Sequence, residues 1–61
     1  MIVGDRIRHL KTGKLATVID VTWIYMGGQP MEIAKVRWEN GRIMNINSRH
    51  FKNWEVIGEE E

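Results

Sequence analysis

The chain has no cysteine, one proline, one serine, one tyrosine and one phenylalanine among its 61 residues. Each shortage excludes something. Without cysteine there is neither a disulfide nor a thiolate zinc site to staple a small domain, so stability rests on packing, oligomerisation or a partner. There is no run of about 18 apolar residues, so no transmembrane helix is expected. Ser48 lacks a Gly-x-Ser-x-Gly setting, which removes a nucleophile-elbow hydrolase. Gly27 and Gly28 precede Pro30 and a β-prone run rather than a helix, so they are no phosphate-cradling loop. His9 and His50 lie far apart, and neither Asp5 nor Glu55 stands at metal-ligand spacing from them. No enzyme, metal or cofactor is expected. Residues 1–5 lack the basic and apolar regions of a signal peptide, and the expectation is a soluble, cytoplasmic protein.

What is present is a basic, tryptophan-rich body of one domain's length. At about 60 residues, only about 60% of the unfolded chain's surface is buried on folding. Trp23, Trp38 and Trp54 are large apolar side chains for so short a chain, and at about 25 cal/mol per Å² they are expected to supply much of the core. Trp38 and Trp54 share parity with apolar neighbours, which places both inside. The formal net charge is +1, but residues 1–58 carry nine cations against five acids, a net +4. Glu59, Glu60 and Glu61 form an acidic tail, read as a frayed, solvated end or as a competitor with phosphate for the basic body.

The strongest local signal is Asn40-Gly41 between two β-prone runs, which predicts a tight hairpin with a type I′ turn. Lys11-Thr12-Gly13-Lys14 breaks a first strand (6–10) from a long second one (15–26), with Gly13 as the left-handed residue. Alternation in the long run is imperfect. Ile19, Val21, Trp23 and Tyr25 share one parity and Ala16, Val18 and Ile24 the other, which predicts a bend or bulge near Asp20. Gly27-Gly28-Gln29-Pro30 ends that strand, since proline cannot donate to a ladder. Further strands follow over 31–38 and 42–47, with Met44 and Ile46 inward, then a single 3-10 turn over 48–51 and a last strand over 54–57. Five short strands without βαβ spacing predict an all-β, five-stranded barrel over residues 1–58, with 59–61 as the tail.

Val3-Gly4-Asp5-Arg6-Ile7-Arg8, Thr12-Gly13-Lys14 with Ala16-Thr17-Val18-Ile19-Asp20-Val21, and Val36-Arg37-Trp38-Glu39-Asn40-Gly41-Arg42 follow one another in an order that resembles the SH3-like small barrels, meaning KOW, Tudor and related domains. Arg49-His50-Phe51 stands in the place those barrels give a 3-10 turn, and Ala16 stands where many KOW motifs carry glycine. From Ala16 onward the chain is also similar to the Tudor-like barrel that ends ProQ-type RNA chaperones. These resemblances imply contacts with RNA, DNA or the transcription and translation machinery. The opening Gly-Asp-Arg-Ile-Arg further resembles the plasmid-encoded type II dihydrofolate reductases, tetramers whose central pore is lined by Val-Gln-Ile-Tyr. Here that place reads Met44-Asn45-Ile46-Asn47 and keeps Ile46 alone, so a reductase is the remote alternative.

The cations carry the functional expectation. Arg6 with Arg8, and Lys35 with Arg37, each project from one strand face; Arg42 follows the hairpin tip, and Lys11 and Lys14 flank the first loop. Together they form a candidate phosphate-binding set, with Tyr25 or Trp23 stacking on a base. The bland alternative is a solvated surface, because a 28% charged fraction is ordinary. The expected partner is RNA or DNA rather than a membrane. The other functional reading is a protein–protein adaptor of phage or bacterial type, in a monomer or small homo-oligomer. It draws on an apolar surplus: Ile2, Val3, Ile19, Ile24, Met26, Met31, Ile33 and Ile43.

Overall fold

The computed structural model describes residues 1–59. It contains strands β1 (Asp5–His9), β2 (Leu15–Met26), β3 (Gln29–Trp38), β4 (Ile43–Asn47) and β5 (Trp54–Glu59), with a 3-10 segment (Ser48–Asn53) before the last strand. All pairings are antiparallel, in the order β4-β3-β2-β1-β5. The expected all-β class is therefore present. β4 and β5 are the two edges of this sheet, and among the described residues no ladder joins them. The 3-10 segment carries the chain from one edge to the other.

The inner face follows directly from strand alternation. Ile7, Ala16, Val18, Ala34, Val36 and Ile46 are buried as one cluster, and Met1, Val21, Trp38, Phe51 and Trp54 pack around it. Ladder pairs link these positions: Ile7 faces Ala16, Val18 faces Val36, Val21 faces Ala34, and Ala34 faces Ile46. The bulge expected near Asp20 is present. Val18 pairs with Val36 and Asp20 with Lys35, leaving Ile19 as the extra residue. That insertion resets the parity of β2, so that Val18 before it and Val21 after it both meet the core. Asp5, expected as a turn residue, opens β1; its carboxylate is buried and accepts from the Ile2 backbone N–H at 3.0 Å.

Several expectations are corrected. The type I′ signature belongs to Gly27-Gly28, which have φ of 58° and 79° between the paired residues Met26 and Gln29. Asn40 does not adopt positive φ. Instead the Gly41 N–H donates to Trp38 O at 2.9 Å and the Trp38 N–H to Arg42 O at 2.7 Å, with Gly41 at φ 87°. This is a three-residue loop with a glycine bulge, closed by Asn40 Oδ1 accepting from the Arg42 N–H at 2.9 Å. β3 starts at Gln29 rather than 31, and Pro30 lies within it, opposite Tyr25. Proline is tolerated there because β4 pairs with β3 only from Ile33 onward, leaving Pro30 on an edge. β1 ends at His9, β4 begins at Ile43, and the 3-10 segment extends to Asn53. Glu59 belongs to β5, so the expected tail begins inside the sheet; Glu60 and Glu61 lie outside the described residues.

The tryptophans are also placed differently. None belongs to the fully buried set: Trp38 and Trp54 are half-buried at its margin, and Trp23 is 62% exposed. Met44, expected inward, is opposite the buried Val36 but remains 40% exposed, whereas Ile46 is buried. Among the apolar surplus, Met31 is buried and Ile19 and Ile33 half-buried, while Ile2, Val3, Ile24, Met26 and Ile43 are exposed. No helix among the described residues is long and apolar enough to cross a membrane.

With so few buried side chains, each one matters. Ile7→Ala removes methylenes from a fully buried site and is expected to destabilise by about 2–5 kcal/mol, read as a lower urea midpoint. Tyr25→Ala, at a 78% exposed position, is expected to change stability by less than about 0.5 kcal/mol.

Candidate nucleic-acid interface

Cross-strand register brings two of the expected cations together. Arg6 faces Thr17 on β2, and Thr17 faces Arg37 on β3. Directly opposed residues share a sheet face, so Arg6, Thr17 and Arg37 form one row, with the arginine Cα atoms about 10 Å apart at two strand spacings. Both arginines are exposed and line a shallow cleft of about 190 Å³, whose rim includes Glu39. Lys35 lies on the same face two residues from Arg37, opposite Asp20 on one side and Asn45 on the other. Arg8 is tied differently: its guanidinium pairs with Glu55 on β5, at an exposed site. It is the one side-chain cation among the described residues with an acidic partner in salt-bridge range.

The remaining expected residues are distributed elsewhere. Lys14 and Arg42 sit together at the rim of a cleft that also includes Trp38 and Met44. Lys11 lies in the β1–β2 turn beside Leu10 and Asn53. Tyr25 stands near the tip of the β2–β3 hairpin, eight residues along β2 from Thr17. No lysine or arginine occurs from residue 15 to residue 34, so the arm that carries Trp23 and Tyr25 is free of cations. The structure thus joins Arg6, Arg37 and Lys35 into one face and Lys14 with Arg42 into another site, and leaves the expected stacking residue apart from both.

Another groove, about 410 Å³, opens where the β1–β2 turn, β4, the 3-10 segment and the start of β5 converge. Its aromatic wall is built by Trp38, Trp54 and His9. The His9 ring stands edge-on to Trp54 with centroids 4.7 Å apart, and Trp38 meets Trp54 at 5.1 Å with a 53° tilt. The turn holds His9 in place. Its Nδ1 accepts from the Lys11 and Thr12 backbone N–H groups at 3.3 Å each, while the His9 N–H donates to Lys14 O at 2.9 Å and the Gly13 N–H to His9 O at 2.8 Å. Leu10 N–H donates to Asn53 O at 2.9 Å and ties this turn to the 3-10 segment.

The lining also includes Asn45, Asn47, Asn53 and His50. Asn47 also caps the 3-10 segment, its Oδ1 accepting from the Arg49 N–H at 2.9 Å. Reasoning from strand parity missed this groove, because it assigned Trp38 and Trp54 to the interior and His50 to a local turn. The available signal was the cluster of asparagines at 45, 47 and 53, a residue type that strands otherwise disfavour.

No protein-family model matches the chain, and neither a curated protein nor a solved structure matches it significantly.

Asn47→Ala removes the cap at the base of the groove. It is expected to destabilise the domain by about 0.5–2 kcal/mol in urea melts and to broaden the amide resonances of 48–53.

Proposed function

We propose that this chain is a small non-enzymatic module that binds RNA or DNA through its basic outer face, as an accessory or regulatory factor. The observation that carries this reading is the Arg6–Thr17–Arg37 row, with Lys35 beside it on a rigid sheet. Arginines about 10 Å apart on neighbouring strands present several donors to separate phosphates of one strand. Asp20 stands opposite Lys35 and Glu39 at the cleft rim, neither within salt-bridge range of a cation among the described residues, while Asp5 is buried in the turn it closes, Glu32 faces the Met1 ammonium, and Glu55 is engaged by Arg8. On this reading the five strands form an SH3-like barrel. That inference is supported by the strand sequence, the bulged long β2, the pairing of β1 with β5 and the 3-10 segment before the last strand.

The test is a fluorescence-anisotropy titration of labelled single-stranded RNA and duplex DNA over a salt series. The wild type is expected to bind at low salt, with affinity falling steeply as salt rises. The double substitution Arg6→Glu, Arg37→Glu is expected to weaken binding at least about tenfold and to flatten the slope of log K against log salt by about 0.7–0.9 per lost contact. Absence of binding at low salt removes the proposal.

A second reading, a protein–protein adaptor, has its own observation. Among the described residues no strand pairs with the outer edge of β2 beyond Thr17, and there Trp23, Ile24, Tyr25 and Met26 are exposed. Such an edge offers strand addition with apolar anchors. Met31 is buried and is no surface probe, so the diagnostic change is Tyr25→Ser. On the nucleic-acid reading, Tyr25→Ser leaves oligonucleotide affinity within about twofold; on the adaptor reading, it abolishes capture of a protein partner.

A further inference from the structure

The groove walled by the two half-buried tryptophans has a composition that the outer face lacks. Its lining combines aromatic rings, which offer stacking surface, with asparagines, a residue type that carries both a donor and an acceptor. It is continuous, through Lys14, Trp38 and Met44, with the cleft that carries Arg42. No carboxylate lines either one among the described residues. At about 410 Å³ it falls within the range of small-ligand sites, large enough for one planar heterocycle and its sugar. It is also pre-formed: His9 is pinned by two backbone donors, Asn47 caps the 3-10 segment, and the Leu10–Asn53 hydrogen bond fastens the two sides. A site with an aromatic wall, asparagines in its lining and cations at one mouth matches an anionic ligand that carries a flat, hydrogen-bonding ring. A nucleotide has those properties.

We propose that the Trp38–Trp54 groove takes one unpaired nucleobase of a bound single strand, with the adjoining phosphates at Lys14 and Arg42. The proposal rests on the nucleic-acid reading above and adds to it a location and a mode. The base stacks on indole, polar groups of the lining meet its edge, and duplexes are disfavoured because their bases are already stacked and paired. The basic outer face then serves as a positioning surface, and the groove distinguishes single strands from duplexes.

The experiment uses Trp23→Phe, which removes the exposed arm tryptophan and leaves Trp38 and Trp54 as the only fluorophores of their kind. This protein is titrated with a short oligonucleotide and with an abasic strand of the same length and charge, in ribose and deoxyribose forms. Affinity is read by anisotropy and groove occupancy by tryptophan quenching. The expected result is that the base-bearing strand binds at least about tenfold more tightly than the abasic one and alone quenches tryptophan emission, in line with the usual contribution of one stacked base. Met44→Glu, which places a carboxylate beside Lys14 and Arg42 at an exposed position, is expected to abolish the quenching, to weaken both strands through the lost phosphate contacts, and to weaken the base-bearing strand more than the abasic one. Equal affinities, or binding without quenching, overturn the groove proposal and leave the outer-face reading standing. Failure of both strands to bind overturns both. The ribose and deoxyribose arms separate an RNA ligand from a DNA ligand.

Discussion

Everything distinctive in this structure follows from how little the inner face of the sheet can cover. The continuous core is six buried side chains, four of them alanine or valine, and it draws on β1, β2, β3 and β4. It stabilises the first half of the β2–β3 hairpin and has no surface left for the second. The bulge at Ile19 extends its reach by one step, bringing Val21 back to the inner face after Val18. Past Val21 the ladder continues to Met26 and Gln29, where Met31 is buried and Ile33 half-buried but Trp23, Ile24, Tyr25 and Met26 are exposed. The result is an exposed apolar arm. The same shortage leaves Trp38 and Trp54 half-covered at the opposite margin, where they become the wall of a groove.

This economy separates three surfaces that the amino-acid pattern alone merges. Arg6, Arg37 and Lys35 share the outer face because register aligns β1, β2 and β3. Lys14 and Arg42, distant in sequence, meet because their two loops lie at the same end of the sheet. Trp23 and Tyr25 stand on a cation-free hairpin. Charge and stacking, treated as one constellation along the chain, are divided by the fold between opposite ends of β2. On the proposed reading, stacking falls to the tryptophans that parity assigned to the core.

Much of the architecture was legible. Alternation located the strands, because a two-residue period survives even when individual residues vary. The mixed parity of residues 15–26 located the bulge for the same reason. Turn chemistry was less transferable. Asn40-Gly41 and Gly27-Gly28 both permit a type I′ turn, and the outcome depends on register that local sequence does not contain. Pro30 misled because its effect on a strand depends on which edge is unpaired, a property of the whole sheet. The groove was illegible as a unit: His9, Trp38, Asn45, His50 and Trp54 come from five separate segments and meet only once the sheet has coiled. The residue types were visible; their convergence was not.

The central claim is that nucleic acid engages the sheet's outer face rather than the arm. The most direct measurement is an amide chemical-shift map of the 15N-labelled domain, titrated with a short single-stranded oligonucleotide at low salt. The account predicts perturbations centred on Arg6, Thr17, Lys35 and Arg37, extending to the His9–Lys14 turn and Arg42, with Thr22–Met26 unmoved. Shifts confined to the arm, or no shifts at all, would contradict it.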